Sequence, residues 1–472
     1  SRRSLGRIAR AGQGGPAGIG TVLGAHVGTR LTESALYRHA WTTPALDAVF
    51  DESHRLQSWL DILTALAQAQ EDFGLVPSGV ADEMRVHARV EDLDLDAIAE
   101  ETRRTSHSTL GLIHGLQRVL PEHARQYVYF GATVQDLTDT WFGIAMRDST
   151  KIIRADLVRV ELACIQLALA HRDSPMAGRT HGQPGTPITF GFKAATWADE
   201  ISRAIDRLDE SGRRWTVGQL AGSTGGLAFF GEHGTAVRAR FCALLGLGDP
   251  GMSWTATRDR VAEFGTVLAM TSSTLARIGN EIYELQRPEI GELGEPRDEA
   301  AVGSITMPQK RNPEFSEHLD TLSRIARAAA GVLVEGMSAS HERDGRGWKA
   351  EWAMLPEVAL VTGKAASLAA VLVEGLEVNT DAMRRNLLRA GTSGTEAVLV
   401  ALSSSLGKHR AQALLQEALS GLQGDEDADA VAALIAAVTG EDAGQILRWM
   451  GAPSTTGALI DVCLTRLRER DR

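Results

Sequence analysis

The chain has few cysteines: Cys164, Cys242 and Cys463 in 472 residues. Three thiols so far apart form neither a disulfide framework nor a zinc-ligand pattern, and they read as buried, reduced side chains. Basic residues are the minority, with Lys plus Arg at 49 against Asp plus Glu at 60, giving a net charge of −11. That balance excludes bulk nucleic-acid binding, which depends on neutralising phosphates with Lys and Arg. It leaves an anionic small molecule open, because a local cluster of donors outweighs the global sign. No uninterrupted apolar run approaches the roughly 18 residues of a membrane span. The first thirty residues lack the apolar stretch of a secretory leader. The expectation is a cytoplasmic chain with no membrane partner. Apolar residues at 43% and charged residues at 23% exclude a disordered or collagen-like composition.

What is present is helical periodicity. Residues 1–34 carry five Arg before position 31, no acid until Glu33, and the helix breakers Gly14, Gly15, Pro16 and Gly18. They read as a flexible basic arm. Thr43 ahead of Pro44 predicts a capped helix start, and a helical pattern runs from Asp51 to Asp72 until Gly74 and Pro77 stop it. Shorter helices follow around 79–88, 93–104 and 107–119. Leu157, Val160, Cys164 and Leu167 repeat at helical spacing, as do Val261, Phe264, Leu268, Leu275, Ile278, Ile282 and Leu285. Residues 318–337 and 350–376 behave the same way. Helices this long with wide apolar stripes are bundled and reach into partner chains. No alternating hairpin pattern stands out on this scale. The reading is all-α with three helical parts: 35–128, a central 129–375, and a small end domain at 376–472.

Polar loops between rigid helices are where chemistry concentrates. One is Gly303-Ser304-Ile305-Thr306-Met307-Pro308-Gln309-Lys310-Arg311-Asn312-Pro313, after an acidic, Gly-containing run from Glu289 to Glu299. A second is Gly178-Arg179-Thr180-His181-Gly182-Gln183-Pro184, which by itself reads as a turn joining helices. The others are Arg104-Thr105-Ser106-His107, Gly131-Ala132-Thr133-Val134-Gln135-Asp136, Trp254 to Arg260, and His341 to Trp352.

The first of these loops resembles the signature G-S-S-x-M-P-x-K-x-N-P of the fumarase/aspartase superfamily. The T-H-G-Q-P and G-A-T-V-Q-D stretches, W-T-A-T-R-D-R, and H-E-R followed by G-W-K-A-E-W are similar to its carboxymuconate-cycloisomerase and adenylosuccinate-lyase branch. The likeness runs from about Leu36 to the C-terminal end. It implies a three-domain subunit whose long central helices form a multi-helix core in a homotetramer. Each active site would draw on loops of three subunits, with no cofactor and no metal. It implies Ser304 as the general base. It gives His181 the role either of general acid or of orienting the substrate, a histidine suiting proton transfer near neutral pH. It gives substrate contacts to Ser106, His107, Thr133, Gln135, Asp136, Thr180, Gln183, Lys310 and Asn312. Arg258 or Arg260 would hold a carboxylate, although a helix-start ion pair with Asp259 explains Arg258 as well.

The superfamily performs anti elimination from substituted succinates to give fumarate. A serine hydroxyl becomes a base only where donors stabilise its alkoxide, and the carbanion, an aci-carboxylate, needs several donors at once. Two family serines are replaced, by Val134 and Ile305, which points to an altered substrate. Taken along its length the chain also resembles nitrosuccinate lyases, which release nitrite. The expected reaction is nitrosuccinate to fumarate plus nitrite. The alternatives are 3-carboxy-cis,cis-muconate cycloisomerisation and an adenylosuccinate-type C–N elimination.

Overall fold

A computed structural model describes residues 30–297, 306–307, 309–422, 426–451 and 455–470. The expected base Ser304, its neighbour Ile305 and most of the basic arm lie outside the described residues.

The N-terminal helices are α1 (Pro44–Phe50), α2 (Glu52–Asp72), α3 (Val80–His87), α4 (Leu95–Thr105), α5 (Leu110–Val119) and the short α6 (Glu122–Arg125). Their starts follow local chemistry. Thr43 Oγ1 accepts from the Leu46 amide with Pro44 in the first turn. Asp51 accepts from the amides of Ser53 and His54, satisfying donors that no helical carbonyl reaches.

Five long helices make the body: α7 (Val134–Ala170), α8 (Phe190–Trp215), α10 (Asp259–Leu285), α11 (Glu314–Glu335) and α12 (Gly345–Glu374). A shorter α9 (Gly234–Leu244) lies outside the bundle against α2. The stripe from Val261 to Leu285 is buried at every apolar position named from the sequence. Helix α12 is apolar and long enough to cross a membrane by length and composition. Here its residues Leu355, Val358, Ala359, Ala366 and Val373 are buried against α7, α10 and α11.

Two features differ from the sequence expectation. Residues 175–189 form an antiparallel hairpin, β1 (Pro175–Thr180) with β2 (Gln183–Thr189), rather than a simple turn between helices. His181 and Gly182 form its tip, with φ of 54° and 76°, the doubly left-handed backbone of a tight two-residue hairpin turn. A second small pair joins β3 (Leu293–Gly294) to β4 (Glu377–Val378). The chain after 376 also divides. Helix α13 (Thr380–Arg389) packs on β1. Helices α14 (Thr395–Leu406), α15 (Lys408–Leu419), α16 (Ala428–Thr439) and α17 (Ala443–Gly451) enclose their own core around Val398, Leu402, Val431, Ile435 and Ile446. Helix α18 (Thr456–Arg470) returns to α8, because Ile460, Leu464 and Leu467 give it one apolar face that the main core buries.

Candidate active site

The start of α7 is the best-defined part of the site. Thr133 and Asp136 form a reciprocal capping box, and the Thr133 amide donates to Asp136 Oδ2 at 2.9 Å. Asp136 does more than cap its own helix. It also accepts from the amides of Ala221 (2.8 Å) and Gly222 (3.1 Å), which fixes the turn before Gly225 and Gly226. Burial pushes its carboxyl up to about 7, while these amides and Arg343 pull it back. Arg343 spans the other side, donating to Thr133 Oγ1 at 3.0 Å and to the Gly222 carbonyl at 3.3 Å. Both acceptors are neutral, and Arg343 Nε is buried without a partner. Gly131, with φ of 81°, approaches so closely that a Cβ there would lie 2.3 Å from the Phe229 ring. No larger residue fits that turn.

Two expected substrate contacts on α7 point inward. Gln135 is wholly buried and donates to the Thr255 carbonyl at 2.8 Å. Asp136 is only 2% exposed. Asp136 is turned to backbone amides, and Gln135 keeps its Oε1 buried and unpaired.

The expectation for Arg258 is corrected outright. Its guanidinium is 2% exposed and donates to Asp139, Glu351 and the Trp254 carbonyl. The Trp254 ring lies 4.9 Å beneath it. Burial pushes both carboxyls up, and Arg258 draws each back; the guanidinium itself is held charged against burial by the two acids. With its nitrogens committed inside, Arg258 ties α7, α10 and α12 together and offers nothing to a substrate. Its partners are acids 119 and 93 residues away, not the adjacent Asp259.

Ser106 and His107 are exposed at the end of α4. The Leu110 amide donates to His107 Nδ1 at 3.2 Å, so the neutral ring carries its proton on Nε2. Thr180, His181 and Gln183 are exposed at the hairpin tip, and among the described residues their side chains make no hydrogen bond or ion pair. The stem is firmly held. Arg179 donates to both oxygens of Glu292 (2.9 and 2.6 Å), a wholly buried carboxylate that also accepts from Asn386 Nδ2.

Glu292 begins the short segment that also anchors the signature loop. Three residues on, Glu295 accepts from the amides of Phe315 and Ser316 and from Ser316 Oγ. It thereby caps α11 from across the loop. Glu377 on β4 pairs with Arg297 before the loop and with Arg311 within it. Lys310 is exposed, its amide bonded to the Met307 carbonyl, and Asn312 is half-buried. The sequence reading passed over Glu292, Glu295 and Arg343 as site residues. The first two stood out only as acids in an acidic run, while Arg343 lay in a motif already noticed.

Backbone strain marks the same places. Among the described residues, the non-glycine residues with left-handed φ are Ser106, Tyr129, His181, Leu227 and His341. Each lies in or beside a loop singled out above, and such conformations persist where surrounding structure imposes them, often at functional sites. A cavity of about 670 Å³ opens between α2, α4, α7 and α12, walled by Trp59, Trp141 and Trp352. Its cations Arg38, Arg55 and Arg103 pair with Asp47, Glu52 and Glu100, with Arg55 Nε left buried and unpaired, and none of the site residues expected from the sequence lines it.

Known proteins resemble this chain over most of its length. A family model described as Lyase matches residues 38–327. An N-acetyl-S-(2-succino)cysteine lyase of Dickeya dadantii is 37% identical over 390 residues, which is 82% of this chain and 86% of the relative. An adenylosuccinate lyase of Methanothermobacter thermautotrophicus is 36% identical over 379 residues, 79% of this chain and 84% of the relative. The crystal structure of the 3-carboxy-cis,cis-muconate lactonizing enzyme from Pseudomonas putida superposes with a TM-score of 0.84 at 31% identity, covering 93% of this chain and all of that one.

Proposed function

The chain belongs to the lyase family of the fumarase/aspartase superfamily, and from there we propose that it converts nitrosuccinate to fumarate and nitrite. Ser304 removes a proton from the carbon next to the one bearing the nitro group. The electron pair is held as an aci-carboxylate, the double bond forms, and the C–N bond breaks as nitrite leaves with its electrons. Arg343, held by neutral acceptors beside Thr133, meets one substrate carboxylate. Lys310, Asn312, Thr180, Gln183, Ser106 and His107 supply the remaining donors, brought together from three subunits of a homotetramer. Exposed apolar residues on the bundle helices support that assembly: Leu162 and Leu169 on α7, Met270 on α10, Val334 on α11 and Val371 on α12.

The observation that supports an anionic leaving group is the hairpin tip. His181 has no carboxylate or other partner in its own chain among the described residues. A histidine working as an acid is normally oriented through its second ring nitrogen. An anion such as nitrite departs without a proton, so His181 need only orient the substrate. Val134, where the related motif has a serine, removes one hydroxyl from the start of α7.

A second reading has its own support. Relatives from Dickeya dadantii and Enterococcus italicus, at 37% and 36% identity, are N-acetyl-S-(2-succino)cysteine lyases, and a thiolate is also an anionic leaving group. Incubating the purified protein with nitrosuccinate, N-acetyl-S-(2-succino)cysteine, adenylosuccinate and 3-carboxymuconate decides between them. Equal amounts of fumarate and nitrite are expected from nitrosuccinate. Thiol release without nitrite selects the second reading, and lactone from carboxymuconate alone selects cycloisomerisation.

A further inference from the structure

We propose that Asp136 is a positioning residue for the substrate-binding arginine: as a carboxylate it closes a ring of residues that holds Arg343 ready for an anionic ligand. This rests on the reading that Arg343 meets a substrate carboxylate. The ring is continuous. Asp136 accepts the amides of Thr133 and Gly222 on one oxygen and that of Ala221 on the other. Arg343 donates to the Thr133 hydroxyl and the Gly222 carbonyl. The two groups that receive Arg343 are thus the two whose amides Asp136 holds.

Three N–H donors take three of the four lone-pair sites of a carboxylate, two on Oδ2 and one on Oδ1. A proton on Oδ2 displaces one of its two amides, and a proton on Oδ1 removes the charge that strengthens all three bonds, so protonation weakens the ring either way. The charged groups around Asp136 are few. Arg343 faces it from the loop before α12, the buried phenol of Tyr129 faces it from the turn before α7, and the 221–222 turn contributes only amides. Asp139, one turn along α7, is occupied by Arg258. With burial opposing the charge, the carboxyl titrates near neutrality. The ring is closed above that pH and opens below it, and Arg343 loses its two supports as it opens.

Hydrogen exchange read by mass spectrometry on segments 129–137 and 217–227, corrected for intrinsic rates, tests the ring without reference to turnover. Calorimetric binding of succinate, a dicarboxylate common to every reading of the reaction, tests its consequence. In the wild-type chain, protection should fall about tenfold between pH 8 and pH 6, the loss of a hydrogen bond to a charged group, and succinate affinity should fall with it. In Asp136→Asn both should be low and flat across that range. The site's histidines are present in both proteins, so the difference belongs to Asp136. If Asp136→Asn does not fold, Arg343→Gln serves instead: without the cation, the wild-type fall in protection should move to higher pH. Protection independent of pH in the wild type, or unchanged in Asp136→Asn, overturns the ring. Protection that follows pH while succinate affinity does not overturns the positioning role. A wild-type chain that binds no succinate at any pH overturns instead the dicarboxylate reading beneath it.

Discussion

Glu295 and Ser316 close the base of the loop that carries Ser304. The carboxylate accepts both the amide (2.8 Å) and the hydroxyl (2.6 Å) of a residue 21 positions further along, and the Phe315 amide as well. A negative group at the first turn of α11 also meets the positive end of the helix. Glu295→Ala should therefore cost about 1–2 kcal/mol of stability, the size of a lost cap. Turnover should fall further than stability suggests, by about 10- to 100-fold, because a base displaced by about 1 Å reacts poorly. Thermal melting and steady-state kinetics on the same preparation measure both effects.

Ser304→Ala should fold and assemble normally and lose about 10²- to 10⁴-fold in turnover, the usual contribution of a general base. His181→Ala should lose much less if the leaving group is nitrite, since no proton is delivered to it. Comparable losses in the two variants, assayed by diazo coupling and fumarate absorbance over a range of pH, point to an amine leaving group.

Removing Arg258 leaves Asp139 and Glu351 buried and uncompensated. Arg258→Gln should destabilise the protein by about 3–5 kcal/mol, typical of a broken buried ion pair. Any folded fraction should keep its KM, because Arg258 does not reach the ligand. A KM raised in proportion to the loss of activity in folded protein restores a binding role for it.

Asp136 gives stability a pH dependence of definite sign. Its carboxyl rises from 3.8 to about 7 on folding, so within that window the native chain holds a proton that the unfolded chain has released. Its contribution therefore falls as pH rises through the window. Comparing denaturant unfolding of wild type and Asp136→Asn, the difference should shift in the variant's favour from pH 4 to pH 7. An opposite slope means that Asp136 is ionised throughout.

Light scattering should give a tetramer at micromolar concentration, since the exposed apolar residues of the bundle helices need partners. Mixing Ser304→Ala chains with His181→Ala chains should restore part of the activity if those side chains meet from different subunits. An active monomer excludes the shared site.

The long helices were legible because burial along a helix repeats every 3.6 residues, and the stripe from Val261 to Leu285 states that period without help from the rest of the chain. The helix start at Thr43 and Pro44, and the loops around Thr133, His181 and Lys310, were legible for a related reason: capping and breaking chemistry acts between near neighbours. The hairpin was not. Gly178 to Pro184 read as a turn joining helices, and only the tertiary structure, which buries Met176, Ala177 and Pro187, makes strands of the residues on either side. Nor did the sequence distinguish the fates of its charged residues. Arg258 and Arg343 both sat in promising motifs, yet two buried acids hold the first while two neutral acceptors leave the second its charge. Glu292 and Glu295 lay unmarked in an acidic run until folding brought Arg179 and the start of α11 to them. Periodicity and capping are local and survive in the order of residues, whereas the partner of a charge, and with it whether that charge is spent inside or free for a ligand, is set by which distant segments the core brings together.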